Sequence, residues 1–147
     1  MDETIVTVDQ VVAEARTYLG VRWHHQGRTR VGIDCAGVLV NVAHTLKLSS
    51  FDTTDYGRYP TGELTQYLRE HCIEQPPGTE PAPGLVAEMA FEADPHHVAL
   101  VVPYFAGGLA LLHAVSQFPR KVVEHRLDDL WRRRIVRLYR LPGVTYP

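Results

Sequence analysis

The chain changes character at one stretch, residues 75–84, which contains four prolines and two glycines and so breaks regular structure. Before it, apolar residues recur at the three- and four-residue spacing of helices. After it, short apolar runs are separated by turn residues, which is typical of strands. Helices followed by consecutive strands predict an α+β fold with an antiparallel sheet of about five strands. We expect one domain, residues 1–147, with a helical part of about 1–74 and a sheet part of about 84–142.

The composition argues against several classes of function. The 147 residues carry a net charge of −2, so we expect no nucleic-acid partner. The longest apolar stretch, residues 98–112, is interrupted by Pro103 and by Gly107 and Gly108, which predicts two strands and no membrane insertion. Residues 1–4 include two acids where a secretory signal would be basic. We therefore expect synthesis in the cytoplasm without a signal peptide.

Three helices are predicted before the proline-rich stretch. Residues 7–10 form a capping-box pattern that begins the first helix, which ends near Gly20. The second helix follows Asp34, a favourable N-cap residue, and extends to about Leu48 with apolar residues on all sides. We expect this second helix to be buried at the centre of the fold. The third covers about residues 62–71.

Five strands and one short helical turn are predicted after that stretch. The pairs Asp94-Pro95 and Gly107-Gly108 are turn signals between strands. A helical turn is expected at residues 128–131, before the last strand. The strands are predicted at residues 85–91, 97–102, 109–115, 121–127 and 135–141.

Cys35 is the first candidate for chemistry, because it lies in the predicted first turn of the buried helix. Backbone N–H groups and the helix dipole favour a thiolate there, which predicts a pKa below the ordinary value of about 8.5. The same N–H groups can donate to the oxyanion of an acyl-transfer reaction. The alternative is a small buried apolar side chain, which is our interpretation of Cys72.

A thiolate nucleophile needs a base, and the base needs a residue that orients it. His97 begins one predicted strand, and His113 lies in the next strand of the same hairpin. Antiparallel pairing can place the two side by side, so His113 could hydrogen-bond His97 and fix its tautomer. The alternative is that both are structural histidines of the sheet.

Five segments of the sequence together carry a family resemblance. They are Tyr18-Leu19-Gly20-Val21, Gln26-Gly27-Arg28, Gly32-Ile33-Asp34-Cys35-Ala36-Gly37-Val38, His97-Val98-Ala99-Leu100 and Leu112-His113-Ala114. They resemble the NlpC family, papain-like cysteine peptidases that cut the peptide stems of bacterial cell walls. The resemblance extends from about Val8 to Leu141, and it implies a papain-like fold with the nucleophile on the buried central helix.

The resemblance also implies roles for individual residues. Cys35 would be the nucleophile, His97 the base and His113 the orienting residue, with no cofactor and no metal. The reaction would be a two-step acyl transfer that hydrolyses the bond between γ-D-glutamate and diaminopimelate in the peptidoglycan stem.

Substrate binding is predicted on the same basis, with Trp23 at the place of the family's usual tyrosine. Arginine matches the carboxylates of an anionic stem, so Arg22 and Arg30 are further candidates beside Arg28. The predicted substrate-binding residues are Trp23, His24, Arg28, Asp34 and Ala36.

Two segments, residues 23–28 and 56–60, resemble the phage-tail and gene-transfer-agent branch of the family in particular. This resemblance implies tail proteins as further partners. It also implies that the protein reaches the cell wall as part of a tail particle.

A zinc site is the first alternative function. His24 with His25, and His96 with His97, could bind zinc together with Cys35 or Asp34. Neighbouring histidines of a strand point to opposite faces, however, and the sequence has no helical His-x-x-x-His pair.

Two further alternatives keep the fold. One is a tail-tip connector without catalysis, in which the arginines of residues 131–134, with Arg137 and Arg140, would dock an acidic partner. The other is a papain-like amidase or acyltransferase that acts on another amide with the same nucleophile.

Overall fold

The computed structural model describes residues 5–91 and 96–147. The predicted turn at Asp94-Pro95 and the acidic residues 1–4 lie outside the described residues. Within those ranges the helices are α1 (Val8–Arg16), α2 (Cys35–Thr45), α3 (Glu63–His71) and α4 (Asp129–Arg134). The strands in the same ranges are β1 (Val6–Thr7), β2 (Arg28–Thr29), β3 (Gly32–Ile33), β4 (Ile73–Glu74), β5 (Val86–Met89), β6 (His97–Pro103), β7 (Leu109–Ala114), β8 (Val122–Arg126), β9 (Ile135–Arg140) and β10 (Val144–Thr145).

The helices begin close to the predicted positions. Thr7 and Gln10 make both hydrogen bonds of the capping box at the start of α1. Asp34 caps α2, and Asp128 caps α4. Helices α1 and α2 end earlier than predicted, at Arg16 and Thr45. Helix α4 is longer than the predicted single turn, since it continues to Arg134.

The main sheet has the strand order β4-β9-β5-β6-β7-β8 in the described part of the chain, and each neighbouring pair is antiparallel. The protein is therefore a mixed α/β protein with a six-stranded antiparallel sheet. Five of these strands coincide with the predicted ones. The sixth, β4, was not predicted because it has two exposed residues, Ile73 and Glu74, and no alternating pattern.

Both faces of the sheet are buried. On one face, Val98, Leu100 and Leu112 share a core with apolar residues of α1 and α2, including Val11 and Val42. On the other face, a second core is formed by Ala99, Val101, Leu111 and Leu138, with Trp131 of α4 packed against it. Successive residues of a strand point to opposite faces of the sheet. Because both faces are buried, the central strands are nearly continuous runs of apolar residues.

Two smaller pairings complete the architecture. Strand β1 pairs in parallel with β10, with Val6 opposite Val144. Strands β2 and β3 form an antiparallel ribbon that leads into α2. No helix among residues 5–91 and 96–147 is long and apolar enough to cross a membrane.

Candidate active site

Cys35 is the first residue of α2. Its helix begins there because the Asp34 side chain accepts a 2.8 Å hydrogen bond from the backbone N–H of Gly37. An aspartate at this position satisfies one of the N–H groups that the first turn leaves without a partner. The first turn of the helix therefore presents the cysteine and its own N–H at the helix end.

The Asp34 carboxylate also fixes the surrounding loops. Its Oδ1 accepts from Arg28 Nη1 at 3.0 Å, and its Oδ2 accepts from the Gln26 backbone N–H at 2.9 Å and from the Tyr56 hydroxyl at 2.6 Å. The carboxylate is buried, at 3% exposure. The ion pair and the hydrogen bonds offset the desolvation cost of burying this carboxylate. The position of Cys35 is thus coupled to two separate segments of the chain, residues 26–28 and the loop that contains Tyr56.

The loop before α2 lies in direct contact with its first turn. A side-chain Cβ on Gly37 would lie 2.4 Å from the carbonyl oxygen of Gly27. A Cβ on Gly27 would in turn lie 2.4 Å from the carbonyl oxygen of Gly32. Glycine is required at both positions because the neighbouring atoms belong to backbone. The small size of Gly37 therefore serves the packing of the first turn against the loop.

Cys35 and His97 line the same cleft, which has a volume of about 110 Å³. The segment that contains Arg58 and Tyr59 and the loop that contains Gln117 both contribute to its lining. The described residues lining the cleft are Trp23, Asp34, Cys35, Tyr56, Gly57, Arg58, Tyr59, Pro60, Leu64, Phe91, His96, His97, Ala114, Ser116 and Gln117. The nucleophile and base predicted from the sequence therefore meet at one surface depression.

His97 and His113 are hydrogen-bonded as predicted. The Nε2 atom of His97 lies 2.5 Å from the Nδ1 atom of His113, and both rings are buried. Because this bond occupies Nε2, the Nδ1 atom of His97 remains as its second proton-transfer position. The arrangement gives His97 the orienting partner that a general base requires.

Burial determines the charge state of these groups. It raises the pKa of the Cys35 thiol to about 12, and the nearby Asp34 carboxylate adds to this effect. Hydrogen bonds from the backbone N–H groups of Val98 and Ala36 act in the opposite direction but do not outweigh burial. Contrary to the sequence prediction, the helix N-terminus does not produce a lowered pKa here. Burial also lowers the pKa of His97 to about 3, with His96 and His125 contributing, and lowers that of His113 well below its usual range.

The predicted substrate-binding residues lie in two different places. Trp23 and Asp34 line the cleft, whereas Ala36 and Arg28 line a separate, mainly apolar cavity of about 320 Å³. His24 is exposed and lies outside the cleft lining. The substrate roles of these residues stay predictions.

Arg28 is engaged with the protein itself. Its guanidinium bonds Asp34, Asp52 and the Tyr56 hydroxyl, together with the carbonyl oxygen of Thr53. Through these contacts Arg28 holds the loop around the nucleophile in place. Of the other arginines proposed from the sequence, Arg30 lies over the ring of Tyr18, away from the cleft lining.

Three residues of the site were given no role by the sequence analysis. Tyr56 bonds Asp34, Arg58 lies over the Trp23 ring at 5.1 Å, and His125 lies 2.8 Å from His113 between their Nε2 atoms. The sequence contains one indication of a role for His125, because its strand was predicted and the residue is a histidine. Its contact with His113 depends on strand register, which the sequence pattern does not specify.

A metal site has no geometric support in the part of the chain that the structure describes. There, no group of three or more histidine, cysteine, aspartate or glutamate side chains is arranged to hold a metal ion. His97, His113 and His125 instead form hydrogen bonds in a line, so their nitrogen atoms face each other.

Comparison with models of known protein families found no match. Comparison with curated proteins also found none. The fold is therefore the level at which this chain is similar to known proteins.

The fold of the chain is similar to that of solved NlpC/P60 structures. It is similar to an NlpC/P60 family protein from Bacillus cereus ATCC 10987, with a TM-score of 0.70 and 15% sequence identity over 96% of this chain and 42% of the other. It is also similar to the NlpC/p60 domain of the peptidoglycan hydrolase SagA, with a TM-score of 0.63 and 16% identity over 92% of this chain and 100% of that domain. The chain thus spans less than half of the Bacillus protein and matches the length of the SagA domain.

Proposed function

We propose that the protein is a cysteine peptidase that hydrolyses amide bonds in the peptide stem of bacterial peptidoglycan. The observation that carries the proposal is the shared cleft, in which a helix-terminal Cys35 faces the same space as His97, itself hydrogen-bonded to His113. The resemblance of the sequence to the NlpC family and the similarity of the fold to the NlpC/p60 domain of a peptidoglycan hydrolase support the choice of substrate.

The charge states favour a general-base mechanism that starts from a neutral pair. His97 is unprotonated at neutral pH because burial lowers its pKa, and Cys35 is a thiol because burial raises its pKa. Nδ1 of His97 takes the thiol proton while sulfur forms a bond to the substrate carbonyl carbon. Proton transfer within the pair leaves the net charge of the buried site unchanged, so its desolvation cost is smaller than that of a single charge.

The remaining steps return the site to its starting state. The N–H of Cys35 at the helix start donates to the oxyanion. Protonated His97 gives its proton to the leaving amine as the carbon–nitrogen bond breaks, which leaves a thioester. His97 then takes a proton from water, whose oxygen attacks the thioester, and sulfur leaves and is reprotonated by the same imidazole.

Arg58 is the cation that best fits recognition of the anionic stem. It lines the cleft and is exposed, and its guanidinium lies over the rings of Trp23 and Tyr59. Stacking on aromatic rings orients a guanidinium while its N–H groups remain able to bind a carboxylate. This supports a bond next to a carboxylate-bearing residue, such as that between γ-D-glutamate and diaminopimelate.

The proposal extends to a role in a tail particle. Tail proteins would then be partners of the protein, and the particle would deliver it to the cell wall. This role rests on the resemblance of residues 23–28 and 56–60 to the phage-tail and gene-transfer-agent branch. These segments contact each other, since the Gln26 side chain donates to the carbonyl oxygen of Tyr56 and Arg58 lies over Trp23. They would therefore act as one surface beside the cleft.

The test is digestion of purified peptidoglycan that contains diaminopimelate, followed by mass spectrometry of the released fragments. We expect new termini at γ-D-glutamate and diaminopimelate with the native protein and with Cys72→Ser. The Cys35→Ser variant should release none. If the native protein leaves the stems intact while a known cell-wall peptidase cleaves them, the proposal is wrong and a connector role gains support.

Product analysis also separates hydrolysis from the acyltransferase alternative. An added amine acceptor should leave the products unchanged for a hydrolase. A product that carries the acceptor would identify acyl transfer as the reaction.

A further inference from the structure

A third histidine extends the pair at the proposed site. His97, His113 and His125 lie on three neighbouring strands, β6, β7 and β8. In the register, Leu100 pairs with Leu112 and His113 pairs with Val123. Each histidine is therefore displaced by two residues from the position opposite the previous one, on the same face of the sheet, where diagonal neighbours can touch.

The rings contact one another along this diagonal. The ring centroids of His97 and His113 are 4.8 Å apart, and those of His113 and His125 are 4.9 Å apart. The Nε2 atoms of His113 and His125 are 2.8 Å apart, and His125 Nδ1 lies 3.1 Å from the carbonyl oxygen of Arg126. The chain of contacts thus runs from the cleft to a backbone carbonyl.

The carbonyl at the end sets the direction of each hydrogen bond. A carbonyl oxygen only accepts, so Nδ1 of His125 must carry the proton. A neutral His125 then accepts at Nε2, so His113 donates from its Nε2 and accepts at its Nδ1. His97 must therefore donate from Nε2, which leaves its Nδ1 unprotonated and able to act as the base.

The surroundings favour neutral imidazole rings at His97 and His113. The Trp131 ring lies against His113 and His125, at centroid distances of 5.2 Å and 4.7 Å, and Phe91 lies 5.5 Å from His97. On α4, the guanidinium of Arg134 lies over the rings of Trp131 and Phe91, which contact these histidines. A nearby guanidinium and apolar rings both oppose protonation of an imidazole, and His96 beside His97 acts in the same direction.

We propose that His125 is a positioning residue that, through His113, holds His97 in the tautomer whose Nδ1 is free to take the proton of Cys35. The inference rests on the proposed peptidase function for its kinetic consequence. The tautomers themselves are a property of the folded protein and do not depend on any substrate.

The substitution His125→Leu removes the acceptor for His113, whereas His125→Gln offers an amide oxygen in its place. Without the acceptor, a buried N–H of His113 would lack a partner, which favours a shift of its proton to Nδ1. That shift would reverse the bond to His97 and move the proton of His97 onto the atom that faces the cleft.

Nitrogen-15 NMR of histidine-labelled protein reads these tautomers directly. In the native protein we expect protons on Nε2 of His97 and His113 and on Nδ1 of His125. In His125→Leu we expect the Nδ1-protonated form of His97, with kcat on the peptidoglycan stem reduced about 100-fold, since general-base catalysis contributes about 10²–10⁴-fold, and KM little changed. His125→Gln should retain the native tautomers and most of kcat.

Two results would overturn the inference. One is a native His125 that carries its proton on Nε2, which needs no variant to observe. The other is a folded His125→Leu protein with the native tautomer of His97 and native kcat. A native protein that cleaves no stem would refute the proposed function alone, since the NMR spectra would still decide the tautomers.

Discussion

The hydroxyl of Tyr56 donates a 2.6 Å hydrogen bond to the carboxylate of Asp34, the residue that caps the helix of the proposed nucleophile. Tyr56 also accepts from Arg28 Nη2 at 2.8 Å. A residue 22 positions after Asp34 therefore takes part in holding the start of α2. Burial raises the pKa of Tyr56, and the hydrogen bond to Asp34 raises it further. The phenol therefore remains a hydrogen-bond donor at all moderate pH values.

Tyr56→Phe removes this hydroxyl and nothing else. Hydrogen bonds to buried charged groups contribute about 1.5–3 kcal/mol, so we expect the free energy of unfolding to fall by about that amount. Tyr59→Phe is the matched control, since Tyr59 is 76% exposed, and it should leave stability unchanged. Urea unfolding of the three proteins measures the difference. Equal stability of both variants would show that the Asp34 carboxylate does not need Tyr56.

Gly37→Ala tests the contact between the first turn of α2 and the preceding loop. The new Cβ would overlap the Gly27 carbonyl oxygen, which is backbone and cannot rotate away. Overpacking of this kind costs about 1–3 kcal/mol, and we expect at least the upper part of that range together with loss of peptidase activity. Gly57→Ala is the control, because a Cβ there meets nothing within 4 Å. Thermal unfolding of both variants distinguishes them, and similar melting temperatures would contradict the packing described here.

Much of the fold could be predicted from local patterns. The capping box at Thr7, the N-cap at Asp34 and the alternation of apolar runs are properties of neighbouring residues, so the sequence places the main helices and strands within a few positions. Strand β4 has no such pattern, since its two residues are exposed and pair with β9 only because the chain returns there after α3.

The site could be predicted only in part, for physical reasons that differ by residue. His97 and His113 are adjacent in a hairpin, so their pairing follows from sequence order. His125 joins them through the register of β7 and β8, which is set by packing over the whole sheet. The pKa of Cys35 depends on how deeply the thiol is buried, and that depth is a property of the tertiary structure that outweighs the local effect of the helix end.

The alkylation of Cys35 by iodoacetamide tests its charge state. Because burial raises its pKa to about 12, the thiolate fraction at neutral pH is smaller than for a free cysteine, whose pKa is about 8.5. We expect the rate to continue rising as the pH increases beyond about 9. Mass spectrometry follows the residue individually, with Cys35 in the urea-unfolded chain as reference. A rate that is already maximal below about pH 7 would instead indicate a preformed thiolate–imidazolium pair.

Arg58→Gln tests the recognition of the substrate carboxylate. The variant keeps a polar side chain of similar length over Trp23 but loses the charge, so we expect KM for the diaminopimelate stem to rise about tenfold, equivalent to about 1.4 kcal/mol, with kcat little changed. Arg30→Gln is the control, since Arg30 contacts Thr17 and Tyr18 away from the cleft. A substrate whose carboxylate is amidated should show no difference between native and Arg58→Gln proteins. A loss that is equal for both substrates would exclude a pairing with that carboxylate.

The stability of the folded protein should fall in mild acid because of the buried histidines. The unfolded chain binds a proton at His97 as the pH falls below the ordinary value of 6.5, whereas the folded protein does not until about 3. The unfolded state thus binds more protons in that window, so unfolding becomes more favourable as the pH falls from 6.5 toward 3. At about pH 5 the loss from His97 alone would be about 2 kcal/mol, since each pH unit contributes about 1.4 kcal/mol. Urea unfolding at several pH values should show a shallower dependence for His97→Asn than for the native protein. The control His24→Asn, at an exposed position, should keep the native dependence, and an unchanged slope in His97→Asn would show that this imidazole already carries its proton in the folded state.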